Sequence, residues 1–234
     1  QINFEDITRI FHQAIEDGRQ TLYEYETYEL LRKSGAESPP LANYLLKGTR
    51  PSNEELTAIP GEKLVLKIVS PTIIHKTEVK GVKVIEKHPG KIRSTWRRMM
   101  DEVPVRYTKW IEEHKNMSPK AYEGLTGEAL FKAISADIKG VLCCQYMPPD
   151  SSAFGNELIV SIRRTREFGM GITAGLGGTD TELFAQRFKK GQAVVSASTV
   201  ITDGETFFEL FKHTIAYKKL SGQSRGQSRI VSDD

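Results

Sequence analysis

The chain has 234 residues, 38% of them hydrophobic and 27% charged, and a formal net charge of +3. That balance belongs to a folded globular protein rather than a disordered one, and so small a charge does not by itself argue for nucleic acid. At about 100–200 residues per domain, the length fits one large domain or two small subdomains, with core enough to need no disulfide or structural metal.

In chain order, Phe4, Ile7, Ile10, Phe11, Ala14 and Ile15 recur at helical spacing, predicting a helix from Phe4 to Asp17 that Gly18 stops. The residues before it have no basic stretch leading into an apolar one, so no secretory signal is expected. A second helix is predicted to open on a capping box of Thr21 and Glu24, present Tyr25, Tyr28 and Leu31 as its apolar stripe, and end at Ser34-Gly35. Leu41 to Leu46 reads as a short strand, and Ser52 to Ala58 as a small helix. Leu64-Val-Leu-Lys-Ile-Val69 is too short for a buried helix and rich in β-branched residues, so it is predicted as a strand, broken by Ser70-Pro71. Val79 to Glu86 alternates as another strand.

From Ile92 to about Lys115 the sequence is basic and amphipathic, with an interruption expected at Pro104. Pro119 to Ile134 is a weaker helical stretch, because it contains Gly124 and Gly127. Strands follow at Gly140–Met147, Glu157–Arg163, Gly169–Ala174 and Ala193–Val200. A last helix is predicted from Thr206 to Leu220, before a polar tail from Gly222 to Asp234. The sum is an α+β fold with room for two lobes. No apolar run approaches ~18 residues, so no membrane span is expected, and a cytoplasmic location follows. The two cysteines, Cys143 and Cys144, are adjacent. Their Cα atoms lie ~3.8 Å apart, below the usual disulfide span of ~4.4–6.8 Å, so they read as buried strand thiols.

Several segments carry chemistry. Gly169-Met-Gly-Ile-Thr-Ala174 has the form of a dinucleotide fingerprint, but the Gly-rich stretch after it cannot open a helix and no acid follows at the required distance, so that reading is rejected. Lys67 lies mid-strand. It is either an edge-strand lysine with a snorkelling stem or a point charge for phosphate oxygens. His75, in the loop after Pro71, is either a solvated histidine or a nucleophile able to carry a phosphoryl group. Glu157, Asp180 and Glu182 are either a charged surface or oxygen ligands for Mg²⁺ beside substrate phosphates. The basic helix containing Trp96 reads as a solvated helix with one buried stripe rather than a nucleic-acid reader.

Taken together, these segments resemble the ATP-grasp domain of NDP-forming acyl-CoA synthetases. The resemblance runs from Thr21 to Gly226 and rests on Glu26-Thr-Tyr-Glu-Leu-Leu-Arg-Lys-Ser-Gly35, on Leu66 to Val82 with its Ser70-Pro-Thr-Ile-Ile-His-Lys-Thr-Glu78, on Gly140 to Met147, on Glu157-Leu-Ile-Val160, and on Gly175-Leu-Gly-Gly178. It implies an ATP-grasp domain over 21–226 made of two α+β lobes, the smaller roughly 21–135 and interleaved with the larger, with a nucleotide cleft between them. A separate N-terminal helix would occupy 1–20 and a polar tail 227–234. The resemblance also implies ATP/ADP and Mg²⁺ as cofactors, Lys67 and Ser70 at the phosphates, Gln145, Tyr146 and Met147 along the adenine, and Gly177 and Gly178 in the Gly-rich turn. Glu157, Asp180 and Glu182 would face the metal, and His75 would relay phosphate. CoA would bind through a partner subunit or domain carrying the primary phosphohistidine, with a small carboxylate as the other substrate and no nucleic acid or membrane involved. The alternative is a noncatalytic nucleotide-binding module of the same fold. The chain departs from the family pattern at Lys80, where glycine is usual, at Gln186, where an acid is usual, and at Tyr146, where glutamate is frequent.

Overall fold

The computed structural model describes residues 2–36, 39–148, 157–178, 189, 191–223 and 229. The chain divides into two compact units, Gln1–Met147 and Pro148–Asp234.

The first unit is built on a four-stranded antiparallel sheet in the order β1-β4-β2-β3: β1 Ala42–Leu46, β2 Lys63–Val69, β3 Val82–Glu86 and β4 Gly140–Gln145. Strand alternation sends Leu64, Leu66 and Ile68 of β2 to one face, where they join Ile92, Met99, Val103, Tyr107 and Ile111 of α4 (Pro89–Glu113) and Leu130 and Ile134 of α5 (Gly127–Asp137) in the main core. The other face is smaller. Val69, Leu142 and Cys144 pack there under Tyr25 and Tyr28 of α2 (Glu24–Lys33) and Tyr44 of β1, with Tyr25 and Tyr44 stacked at 4.6 Å between ring centroids.

Three local expectations in this unit need correction. Pro104 does not interrupt α4, which runs unbroken through it. The buried positions Ile92, Met99, Val103, Tyr107 and Ile111 keep helical spacing across the proline. Burying side chains worth roughly 1.5–3 kcal/mol each outweighs the ~3 kcal/mol an interior proline costs. The stretch after Pro119 makes only a 3₁₀ turn at Lys120–Tyr122 before α5 starts at Gly127. And α2 is not capped by Thr21 and Glu24: the carboxylate of Glu26 accepts the Tyr23 N–H at 2.7 Å. Glu26 also takes a two-pronged ion pair from Arg19 at 2.7 and 2.8 Å. Arg19 lies 4.1 Å over the Tyr23 ring, and this buried knot joins α2 to the turn that follows α1 (Phe4–Glu16). The short helix α3 (Asn53–Thr57) does have the box, with Ser52 and Glu55 bonding reciprocally.

In the second unit, β5 (Leu158–Thr165), β6 (Gly169–Leu176) and β7 (Val194–Ser198) form an antiparallel sheet in sequence order. The fingerprint-like Gly169-x-Gly-x-x-Ala174 lies inside β6, paired with β5 along its length and with β7 from Gly171 onward, so it is strand and not a loop opening a helix. The predicted last helix is two helices, α6 (Gly204–Lys212) and α7 (Ile215–Leu220). Fully buried Thr214 separates them, its hydroxyl donating to Phe211 O at 2.7 Å and accepting the Tyr217 N–H at 3.1 Å. A side chain that caps a new helix competes with continuing the old one. Among the described residues, no helix is long and apolar enough to cross a membrane.

Candidate functional site

Lys67 is not an edge lysine. β2 is hydrogen-bonded on both sides, with Lys67 opposite Leu142 and Val82. Its side chain stands on the face covered by α2, where Nζ meets the Glu24 carboxylate. Glu24 in turn accepts a hydrogen bond from the Tyr28 hydroxyl. Burial pushes the Glu24 carboxyl up, but the hydrogen bonds from Lys67 and Tyr28 and the charges of Lys67 and Lys76 outweigh it, and the net shift is downward. The Tyr28 hydroxyl is raised by burial and then by its bond to the Glu24 carboxylate, which keeps it a neutral donor. Lys67, Glu24, Ser70 and Lys76 line one small cavity of about 50 Å³. Glu24 and Lys76 are the members that sequence patterning passed over. Sequence spacing gives Glu24 a helix-capping role, and only the packing of α2 on the sheet brings it to Lys67.

The loop after β2 is held at both ends. At its start, buried Ser70 bonds Thr72 through their hydroxyls at 3.0 Å, Thr72 bonds Tyr122 at 2.6 Å, and the Tyr122 hydroxyl donates to Asp137 at 2.6 Å. Each hydroxyl has one proton. Since Tyr122 spends its own on Asp137, it must accept from Thr72, and Thr72 must accept from Ser70. The chain of donors therefore runs one way, from the loop into α5. Tyr107 adds a bond to Thr72 O at 2.9 Å. At the loop's other end, Gly81 N–H donates to Lys76 O at 2.6 Å and Gly81 O accepts the Ile68 N–H at 2.8 Å. A Cβ at position 81 would stand 2.8 Å from Ile68 Cγ2 and 2.9 Å from Lys76 O, so this closure requires glycine.

Between these anchors lies His75, half exposed, with Nδ1 3.9 Å from the Glu78 carboxylate and its ring 5.6 Å from that of Trp110. Trp110 is stacked on His114 at 4.7 Å. An accessible imidazole on a loop fixed at both ends has the chemistry of a nucleophile that can take up and pass on a phosphoryl group.

The other sequence-predicted residues lie as follows. Gln145 ends β4 and uses its backbone N–H on Leu41 O at 2.8 Å, while Tyr146 and Met147 follow it and are exposed. Glu157 is exposed just before β5, and its carbonyl accepts the Gly177 N–H at 2.8 Å. Gly178 turns back at φ 94°, bringing its Cα side so close that a Cβ would stand 3.3 Å from the Glu157 carboxylate. Asp180, Glu182 and Gln186 lie outside the described residues. Among the described residues no group of three histidines, cysteines or acids could hold a metal. Of the three expected ligands, Glu157 alone is described, and it is a hard oxygen donor of the type Mg²⁺ takes. Cys143 and Cys144 are buried free thiols on opposite faces of β4.

Comparison with known proteins gives a consistent answer. The ATP-grasp domain family matches residues 13–113. The beta subunit of Pyrococcus furiosus acetate–CoA ligase [ADP-forming] I is 27% identical over 218 residues, covering 86% of this chain and 77% of that one. Among solved structures, Ca. Korarchaeum cryptofilum ACD1 in complex with coenzyme A superposes with a TM-score of 0.62 at 26% identity, over 95% of this chain and 78% of that one. The dinucleotide forming acetyl-coenzyme A synthetase 1 of the same organism, in complex with coenzyme A, acetyl-coenzyme A and a phosphorylated phosphohistidine segment, gives 0.60 at 25% identity, over 95% and 78%.

Proposed function

This chain has the ATP-grasp fold and is a homologue of the beta subunits of ADP-forming acetate–CoA ligases, and from that premise we propose that it is the nucleotide-binding, phosphoryl-transferring part of an ADP-forming acyl-CoA synthetase. The reaction is acyl-CoA + ADP + phosphate to carboxylate + CoA + ATP. Phosphate displaces CoA to give an acyl phosphate, a histidine takes the phosphoryl group and releases the carboxylate, and ADP takes it from histidine. CoA and the primary phosphohistidine belong to a partner subunit or domain, the substrate is a small carboxylate, and the setting is the cytoplasm.

The observation that carries this reading is the cavity in which Lys67, Ser70 and Lys76 meet, with exposed His75 one residue away on a loop pinned at both ends. In this reading Lys67 and Lys76 offset phosphate charge, and Glu24 and Tyr28 hold Lys67 in place. His75 relays the phosphoryl group, Gln145, Tyr146 and Met147 lie along the base, and Gly177 and Gly178 allow close approach of backbone. Glu157, with Asp180 and Glu182, forms the Mg²⁺ donor set, and the ion when bound offsets charge on the phosphates.

The test is to incubate the chain with γ-labelled ATP, Mg²⁺ and a cognate CoA-binding partner, beside His75→Ala and a nucleotide titration. Acid-labile label in the parent chain, absent from His75→Ala while nucleotide still binds, is the expected result. Equal labelling of both proteins would remove His75 from the relay. Nucleotide binding with no label under any condition would make the chain a noncatalytic nucleotide module. Acyl-CoA synthesis by the chain alone would remove the need for a partner.

A further inference from the structure

α4 covers the face of the sheet opposite the one that carries Lys67. Beside α4, and bounded by the turn after β1, opens a cavity of about 700 Å³, within the ~300–1,000 Å³ typical of small-molecule sites. Four cations line it, Lys47 and Arg50 from the turn and Arg93 and Arg97 from α4, against the single carboxylate of Asp101. Positions 93, 96, 97 and 100 share one helical face, so Trp96, whose half-buried ring also packs against the main core, lines the cavity beside the two arginines of the helix.

The cations are not equivalent. Arg93 is fixed in advance, donating to Asn53 Oδ1 at 2.6 Å and to Pro51 O at 2.8 Å. Lys47 is tied to Ser135 O at 3.0 Å. Arg50 and Arg97 have no hydrogen-bond or ion-pair partner among the described residues, which leaves two planar donor forks free at one opening. Like charges lining one cavity repel, and a bound anion relieves that. Phosphate oxygens match the guanidinium fork, and a half-buried indole offers a flat apolar surface to a planar ring.

We infer that this cavity is a second ligand site, separate from the one containing Lys67, for a small phosphate ester carrying a planar ring, the chemistry of a nucleoside diphosphate. The basic helix around Trp96, which the proposed reaction does not use, is then one wall of that site. The inference stands independently of the acyl-CoA synthetase reading.

ADP is the probe, and Trp96 fluorescence is the readout, in a full-length Trp110→Phe background so that one indole reports. Calorimetric stoichiometry is measured in parallel, and circular dichroism checks the fold of each variant. ADP should change the Trp96 signal in the parent background and equally in Lys67→Ala, and Arg50→Ala with Arg97→Ala should weaken that response at least about tenfold. Inorganic diphosphate should compete, and adenosine should not. A Trp96 signal indifferent to ADP overturns the inference, as does one abolished by Lys67→Ala and untouched by the double arginine variant. A response to a single-stranded RNA oligonucleotide but not to ADP also overturns it. If Lys67→Ala removes one of two calorimetric sites and leaves the Trp96 response, the two sites are distinct.

Discussion

Lys80 has φ 56°, a left-handed conformation that the described residues otherwise reserve for glycine. A side-chain-bearing residue there costs roughly 1–2 kcal/mol, partly offset because glycine loses about 0.5–1 kcal/mol more backbone entropy on folding. The expected outcome for Lys80→Gly is a stabilisation of up to about 1 kcal/mol, or a thermal midpoint some 2–4 °C higher for a chain of this size. Differential scanning calorimetry checks it, and a lower midpoint would show that the lysine side chain contributes more than its backbone strain takes away. The departure from glycine at this position is visible in the sequence, but its consequence is not, because φ is a property of the folded turn. At Glu24 the direction of the pKa shift sets a pH dependence. Its folded-state carboxyl is net lowered, so the pairing with Lys67 contributes stability above the ordinary carboxylate range and loses it as pH falls through the folded value. Thermal midpoints measured between about pH 3 and 7 should fall less steeply at the acid end for Glu24→Gln than for the parent chain. The two cysteines behave as their apolar setting foretells. Burial pushes the thiol of Cys143 up to about 12 and that of Cys144 up to about 11, so both remain neutral at physiological pH.

At the scale of elements, the loop that presents His75 depends on hydroxyls remote from it in sequence. Thr72 and Tyr122 are 50 residues apart, and no spacing rule connects them. Tyr122→Phe removes the centre of the donor chain while keeping the ring in the core. It leaves the Asp137 carboxylate and the Thr72 hydroxyl each short of a partner, at an expected cost of about 1–3 kcal/mol. Hydrogen exchange should then rise at 70–81 before it rises in the β2–β4 ladder. Uniform acceleration across the whole unit would mean that the bond supports the core rather than the loop. Local rules misplace Pro104 and the capping residues of α2, where burial on a sheet or a stronger charged partner decides the outcome, and they miss the Thr214 cap that divides the last helix. Most strand assignments came close because β2 and β4 are runs of apolar, β-branched or otherwise buried residues whose period is set by the pleat.

At the scale of the molecule, the main core and the tyrosine-lined face both lie within Gln1–Met147, and the small cluster of Leu176, Ala193 and Ala216 lies within the second unit. A fragment ending at Met147 keeps every buried contact of its two clusters. Expressed alone, it should unfold cooperatively, with a sharp calorimetric transition and native-like protection of β2 and β4. A broad, non-cooperative melt would show that the first unit needs the rest of the chain.

What the sequence determined by itself was the α+β class, the reading of Gly169–Ala174 as strand rather than dinucleotide loop, the buried thiols and the motif around Lys67 and His75, since each depends on local periodicity, on residue type or on a contiguous pattern. Only the tertiary structure decided that Lys67 lies on an interior strand facing Glu24, that Tyr122 and Asp137 hold the histidine loop, and that cations from the turn after β1 and from α4 share a cavity. Those relations join residues distant in the chain, and they exist only once burial of apolar faces has brought the elements that carry them together.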